Sequence, residues 1–344
     1  MAESTRPQAR VTMPASRLET SGKISPALIA SSAVCQSSRG LAMSRTDRMF
    51  CRNAVLVAAL GVSFFATDRG FADDASNNSS IFARKNLVAW CIVPFDASHR
   101  APADRAKMLT RLGFSKLAYD WRDPDVPTFE DEIIKCKKHG IEFFAFWGWH
   151  ERIEPLIKKY QIHPQIWILA PSPNATTQDA KVEAAANSFA NLVEITRRLN
   201  LKLGIYAHGD WGGEPANLVA VCEKLRSKGS CDHVGIVYNF HHGHAHIRDF
   251  PAALATMKPY LLCMNLNGMN ATADPLIMPL GTGQFERQMM RDLVASGYDG
   301  PVGIIHHREQ VDAEVGLRQN LDGLKNILAE FGDKAALQSF PKLN

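Results

Sequence analysis

Histidine gives this chain its first chemical signal. Of its 12 histidines, eight (His150, His208, His241, His242, His244, His246, His306 and His307) directly follow runs of residues with strand character. An imidazole near neutral pH can ligate a metal or shuttle a proton, so a set of them behind strands is a candidate acid–base or metal site. Trp121, Trp147, Trp149 and Trp211 fall in the same segments, with Asp120, Arg122, Asn239 and Asn267 beside them. Flat aromatic faces next to hydrogen-bonding side chains suit a ligand with apolar C–H faces and many hydroxyls, which describes a sugar.

Two segments concentrate the signal. In NFHHGHAH (239–246) an extended chain would send His242, His244 and His246 to one side and His241 to the other, and a tract of this composition reads as a metal loop. The turn HGDWGGEP (208–215) supplies Glu214, which is readable either as a base or as a helix first-turn carboxylate beside Pro215. His150, His244 and Glu214 are the candidate catalytic bases. Trp121, Trp149 and Trp211 would seat a ring, while Asp120, Arg122, Asn239 and Asn267 would bind its hydroxyls. Asp120 and Arg122 could instead simply pair with each other.

The elements that must position these residues alternate regularly. Strand-like runs such as NLVAWCIV, SKLAYDW, IEFFAFW, QIWILA, KLGIYA, HVGIVYN, YLLCMNLN and GPVGIIH are separated by amphipathic stretches of helical length. Gly113, Gly140, Gly229 and Gly297 stand where helix C-caps are needed. The runs are continuously apolar, as in a parallel sheet covered on both faces. Eight such units over residues 87–334 predict a single-domain α/β fold, the (β/α)8 TIM barrel, with its site on the loops after the strands. A doubly wound sheet is the alternative, but no GxGxxG follows the first strand.

Composition and the N-terminus bound the function. The chain has 344 residues and a net charge of +4, but residues 1–72 hold 9 Lys/Arg against 4 Asp/Glu, leaving 30 against 31 in the rest. A balance of −1 supplies no cation surplus for a nucleic-acid backbone. Arg45, Arg48 and Arg52 precede the apolar run AVLVAALGVSFFA (54–66), and the small residues Gly70 and Ala72 follow it. This is the pattern of a signal peptide, too short for a membrane span, so an exported, periplasmic or secreted protein is expected. Residues 43–72 read as the signal, 1–42 as a disordered lead or start-site artefact, 73–86 as a linker and 335–344 as a C-terminal tail. No membrane span remains after processing. Cys91, Cys136, Cys222, Cys231 and Cys263 would remain, without a CxxC pair, as buried thiols.

With YDWR (119–122), HGDWGGEP (208–215) and YNFHHGH (238–244) in place, the chain resembles the xylose-isomerase-like TIM-barrel superfamily of sugar isomerases, epimerases and endonuclease IV, and specifically an exported subgroup of it. The resemblance implies a divalent cation, often manganese or cobalt, held by carboxylates and histidines after strands five to eight. By position these ligands become His208, Asn239 with His242, Asn265 or Asn267, and His306 or His307. Every carboxylate of that set is missing, which leaves His208, His242, His306 and His307 as the metal candidates, for Mn, Co, Zn or Ni. The resemblance thus implies a sugar isomerase, epimerase or lyase that abstracts a proton next to a carbonyl with metal assistance. A non-catalytic carbohydrate-binding protein on the same barrel is the alternative. The abasic-site endonuclease reading conflicts with export and with the charge.

Overall fold

The computed structural model describes residues 80–229 and 231–340. The segments expected to be a lead and a signal peptide, and most of the expected linker, lie outside them, and the expectation of export rests on those residues.

Eight parallel strands close in sequence order into one barrel: β1 (Leu87–Trp90), β2 (Lys116–Tyr119), β3 (Glu142–Trp147), β4 (Gln165–Leu169), β5 (Leu203–Tyr206), β6 (Val234–Asn239), β7 (Leu261–Leu266) and β8 (Val302–Ile305). Closure is carried by β1 against β8, with Leu87, Val88, Ala89 and Trp90 in register with Val302, Gly303, Ile304 and Ile305. The crossovers carry α1 (Pro102–Leu112), α2 (Phe129–Lys138), α3 (Ile153–Tyr160), α4 (Gln178–Arg198), the single turn α5 (Asp210–Gly213), α6 (Pro215–Ser227), α7 (Phe250–Met257) and α8 (Glu286–Ala295). Two helices follow the last strand, α9 (Ala313–Phe331) and α10 (Lys334–Gln338). The expected linker and tail are therefore partly packed structure: Phe82 and Ala336 are fully buried. Among the described residues no helix is long and apolar enough to cross a membrane.

The strands are apolar throughout because each contributes to two cores. Leu87 and Ala89 of β1 face the layer between sheet and helices, while Val88 and Trp90 face the lumen. The lumen is filled with rings: Trp90 meets Trp167 edge-on at 4.8 Å, and Trp147 meets Tyr206 edge-on at 4.7 Å. Gly204 makes room for this packing, since a Cβ there would lie 2.7 Å from the Trp167 indole. The five cysteines in the described part are free and buried.

Candidate functional site

The residues after the strands gather at the C-terminal mouth, but not in the arrangement that an extended chain would give. Phe240–His242 form one turn of 3-10 helix directly after β6, and His244–His246 form a second. Gly243 permits the bend, because a Cβ there would sit 2.4 Å from the Tyr238 hydroxyl. The turn stacks His241 and His242, with ring centroids 3.8 Å apart, instead of sending them to opposite sides. His208, after β5, lies 4.2 Å from His242, and His307, after β8, lies 5.6 Å from His241. With His244 they form one cluster of five imidazoles drawn from three strand ends. The doubled histidine followed by glycine is the signal for a turn, and an alternation argument passes over it.

Burial sets the charge of this cluster. It holds His242 down to about 3, and the neighbouring His208, His307 and His244 push the same way. His307 is held down to about 4 by burial and then by the Arg122 cation, and burial pushes His241 well below the ordinary imidazole range. These three rings are neutral at neutral pH. Neither ring nitrogen of His241 has a partner, and the same is true of Nε2 of His244 and Nδ1 of His307. His244 Nδ1 lies 3.0 Å from the carbonyl oxygen of His241. A carbonyl only accepts, so Nδ1 carries the hydrogen, and the buried Nε2 is the position left for a lone pair when the ring is neutral.

Beneath the cluster lies an aromatic floor. Tyr206 stands 6.1 Å from His242, and its hydroxyl accepts the Trp90 indole N–H at 3.2 Å. Trp147 closes the layer. The rings expected to seat a sugar lie elsewhere: Trp121, Trp149 and Trp211 are half-buried on the outer, helix-facing core. Trp121 packs edge-on against Phe129 at 4.9 Å, and the Trp211 indole N–H donates to Gln178 at 2.9 Å. Alternation turns Trp121 outward with Tyr119, Gly148 at φ 74° breaks the register between Trp147 and Trp149, and Trp211 stands in the α5 turn.

The polar residues divide in the same way. Asn239 and Asn265 are fully buried and spend themselves on each other, with Nδ2 of Asn265 donating to Oδ1 of Asn239 at 2.7 Å. Asn267 is equally buried; its Nδ2 donates to the Gly268 carbonyl, and its Oδ1 has no partner. Asp120 accepts the backbone N–H groups of Ile92 and Val93 at 3.3 and 3.2 Å, fastening the end of β1 to the end of β2. Burial raises its carboxyl to about 6 against the pull of Arg122. Arg122 does not bond that carboxylate; it donates to the carbonyls of Asp120 and Trp121 at 2.7 and 2.8 Å. His150 stands away from the cluster, against Trp121 and Phe129, with Nδ1 accepting the Arg152 N–H. Glu214 is exposed and bonds His246 at 3.0 Å, whose other ring nitrogen faces Asp249. This carboxylate–imidazole clamp joins the β5 and β6 loops on the rim.

Three of the four expected metal ligands, His208, His242 and His307, stand in the cluster, and His306 does not. His306 is fully buried with its ring directed toward α9, and its Nε2 meets the Val311 carbonyl of the preceding loop at 3.1 Å. A Cβ on Gly316 of α9 would lie 2.0 Å from its Nδ1. Among the described residues no three His, Cys, Asp or Glu side chains are placed to hold a metal ion. The imidazole pairs are tilted or edge-on, Asp96 and Glu214 are engaged with backbone or with other side chains, and Asp120 spends Oδ1 on backbone while its buried Oδ2 has no partner. The carboxylate-bound cation that the resemblance implies thus finds no assembled set of carboxylates and histidines among the described residues. We expect Gly316→Ala to cost about 1–3 kcal/mol in urea denaturation by overpacking His306. A stability equal to wild type would place that ring elsewhere.

Backbone strain marks the same place. Cys91, Asp210 and His307, all at the mouth, have positive φ of 57°, 47° and 43° without being glycine. A cleft of about 450 Å³ at the opposite end, lined by Phe144, His163, Gln165 and His233, lies on the face where such barrels carry stability instead of chemistry.

No protein-family model and no curated protein matches the chain by sequence. Solved structures do match by shape. The 3-keto-D-glucoside 4-epimerase YcjR of E. coli aligns with TM-score 0.52 and 15% identity, over 72% of this chain and 99% of that one. The L-ribulose 3-epimerase structure aligns with TM-score 0.55 and 13% identity, over 76% and 100%. The IolI protein with a bound zinc atom aligns with TM-score 0.56 and 11% identity, over 72% and 99%. The chain is thus similar in shape to sugar epimerases and to a xylose isomerase-like TIM barrel fusion protein, and its fold is a (β/α)8 barrel.

Proposed function

We propose that the protein is a sugar-active isomerase or epimerase that moves the proton on a carbon next to a carbonyl. One observation carries this reading: five imidazoles from three strand ends stand over an aromatic floor, and one of them, His244, keeps an unpartnered lone pair on Nε2. That nitrogen is the base, and its tautomer is fixed by the His241 carbonyl. The floor of Trp90, Trp147 and Tyr206 suits the C–H face of a sugar ring or chain. The epimerases of the same fold support the choice of substrate class. Export, to the periplasm or beyond, remains part of the proposal on the strength of residues 43–72.

The test is exchange of the substrate C–H proton in ²H₂O, followed by NMR for D-fructose, D-tagatose and L-ribulose. We expect deuterium at the carbon next to the carbonyl, and a loss of about 10²–10⁴-fold in His244→Ala. The missing carboxylates favour a second reading, a carbohydrate-binding protein on a retired barrel. Calorimetric binding of a sugar without any exchange would establish that reading in place of catalysis.

A further inference from the structure

A buried charge is retained only where something compensates it. Arg84 lies in the 3-10 turn Arg84–Asn86 that leads into β1 and is 8% exposed. Neither its Nε nor its Nη2 has a hydrogen-bond partner among the described residues. We propose that this guanidinium, with Arg318 and Lys325 of α9, forms a binding site for a small oxyanion, either phosphate or the carboxylate of an organic acid. The site lies at the end of the barrel opposite the mouth and does not depend on the sugar chemistry there.

The fold positions this cation without neutralising it. The guanidinium carbon lies over Phe340 at 5.2 Å and over Phe114 at 5.6 Å. Nη2 is set against Gly113, the C-cap of α1 at φ 71°, where a Cβ would lie 2.4 Å away. Glycine is therefore required there twice, by the backbone and by the guanidinium. Aromatic faces and the carbonyl end of a helix both favour a cation, yet none of them accepts the Nε or Nη2 hydrogens. Burial lowers the guanidinium to about 10, which leaves it charged at neutral pH. The main chain holds the residue in place, with the Arg84 N–H donating to the Ser339 hydroxyl at 2.8 Å.

The opening beside Arg84 supplies the rest of the site. Leu112 and Phe340 wall a cavity of about 20 Å³, room for one atom the size of a water oxygen. Arg318, Asp322 and Lys325 form its rim from one face of α9, at the i, i+4, i+7 spacing. Arg318 pairs with Glu314 at 3.4 Å and Lys325 with Asp322 at 2.7 Å. Such solvent-facing pairs are weak, so both cations can turn to an anion, while Asp322 limits the negative charge that fits. The arrangement suits a compact anion that gives one oxygen to Arg84 and the others to the rim. Bound there, it fastens the segment before β1 and the end of α10 to α1 and α9.

The experiment is calorimetric titration of the full chain, in dilute chloride buffer, with sodium phosphate and with sodium acetate. Urea denaturation in the same anions follows. One site per chain is expected, with a urea midpoint that rises saturably with the anion, as mass action requires. Arg84→Met should abolish both the binding heat and the anion-dependent rise. In chloride alone its midpoint should equal or exceed wild type, because the uncompensated cation is gone. Arg318→Gln and Lys325→Gln should each weaken binding about 2–5-fold. Binding of phosphate alone, or of acetate alone, supports the site and identifies the source of its oxyanion. A wild-type chain that binds neither, or an Arg84→Met chain that binds as tightly as wild type, overturns the inference. If Arg84→Met does not fold, unchanged binding in the double variant Arg318→Gln with Lys325→Gln overturns it instead.

Discussion

Replacing Glu132 with alanine will cost the barrel about 3–5 kcal/mol, one of the largest losses any single side chain here can produce. Glu132 of α2 is fully buried and pairs with Arg105 of α1, itself 4% exposed. Burial pushes the Glu132 carboxyl up to about 7 in spite of Arg105, and its Oε1 has no partner. The pair is thus an expensive one, retained where two helices meet. Removing only the carboxylate strands a guanidinium in the helix layer, still tied by Nη2 to the Arg100 carbonyl at 2.6 Å. Replacing both partners together, Arg105→Met with Glu132→Leu, should return most of the loss, since apolar groups of similar volume need no compensation there. Urea denaturation of the two singles and the double would decide it. A Glu132→Ala cost below about 0.5 kcal/mol would mean the pair is open to water. The consequence reaches the site, because α1 and α2 follow the strand ends that carry Phe95 and Asp120.

The fold was legible because two-sided burial leaves a plain mark. The runs around Leu87, Leu117, Ile166 and Val234 carry apolar residues on both alternating faces, and a parallel barrel with a lumen is the arrangement that uses both. The gathering of histidines at the mouth was legible too, from the strand ends alone. Which side chain faces which way was not. His306 and His307 are adjacent and look equivalent in sequence, yet one turns to α9 and the other to the mouth, a choice made by the close approach of Gly316 and by a positive φ. His241 was assigned to the far side by alternation, and a 3-10 turn returned it to the centre. The tryptophans that matter most by packing, Trp90 and Trp167, sit inside strands where sequence reads them only as apolar. Asn239 looked like a hydroxyl ligand and is consumed by Asn265, a pairing set by the register between β6 and β7 that no local pattern reveals.

The neutral histidines should make stability fall steeply with mild acid. His241, His242, His306 and His307 are held below the unfolded value of 6.5, chiefly by burial. Below that pH the unfolded chain binds protons that the fold refuses, so stability is lost as pH drops from 6.5 toward the folded values. Each such ring contributes about 1.4 kcal/mol per pH unit once its unfolded form is protonated. Two carboxyls act in the opposite sense. Asp120 and Glu132, raised to about 6 and about 7, take up their protons in the fold first, and so add stability as pH falls across the same window. Variants separate the two signs. His241→Asn should flatten the decline between about pH 6.5 and 5 by roughly 1 kcal/mol per pH unit, and Asp120→Asn should steepen it. The measurement is the urea unfolding free energy at half-unit pH steps. If His241→Asn has the wild-type slope, the ring takes up its proton in the fold as readily as in the unfolded chain, and burial does not hold the cluster neutral in mild acid.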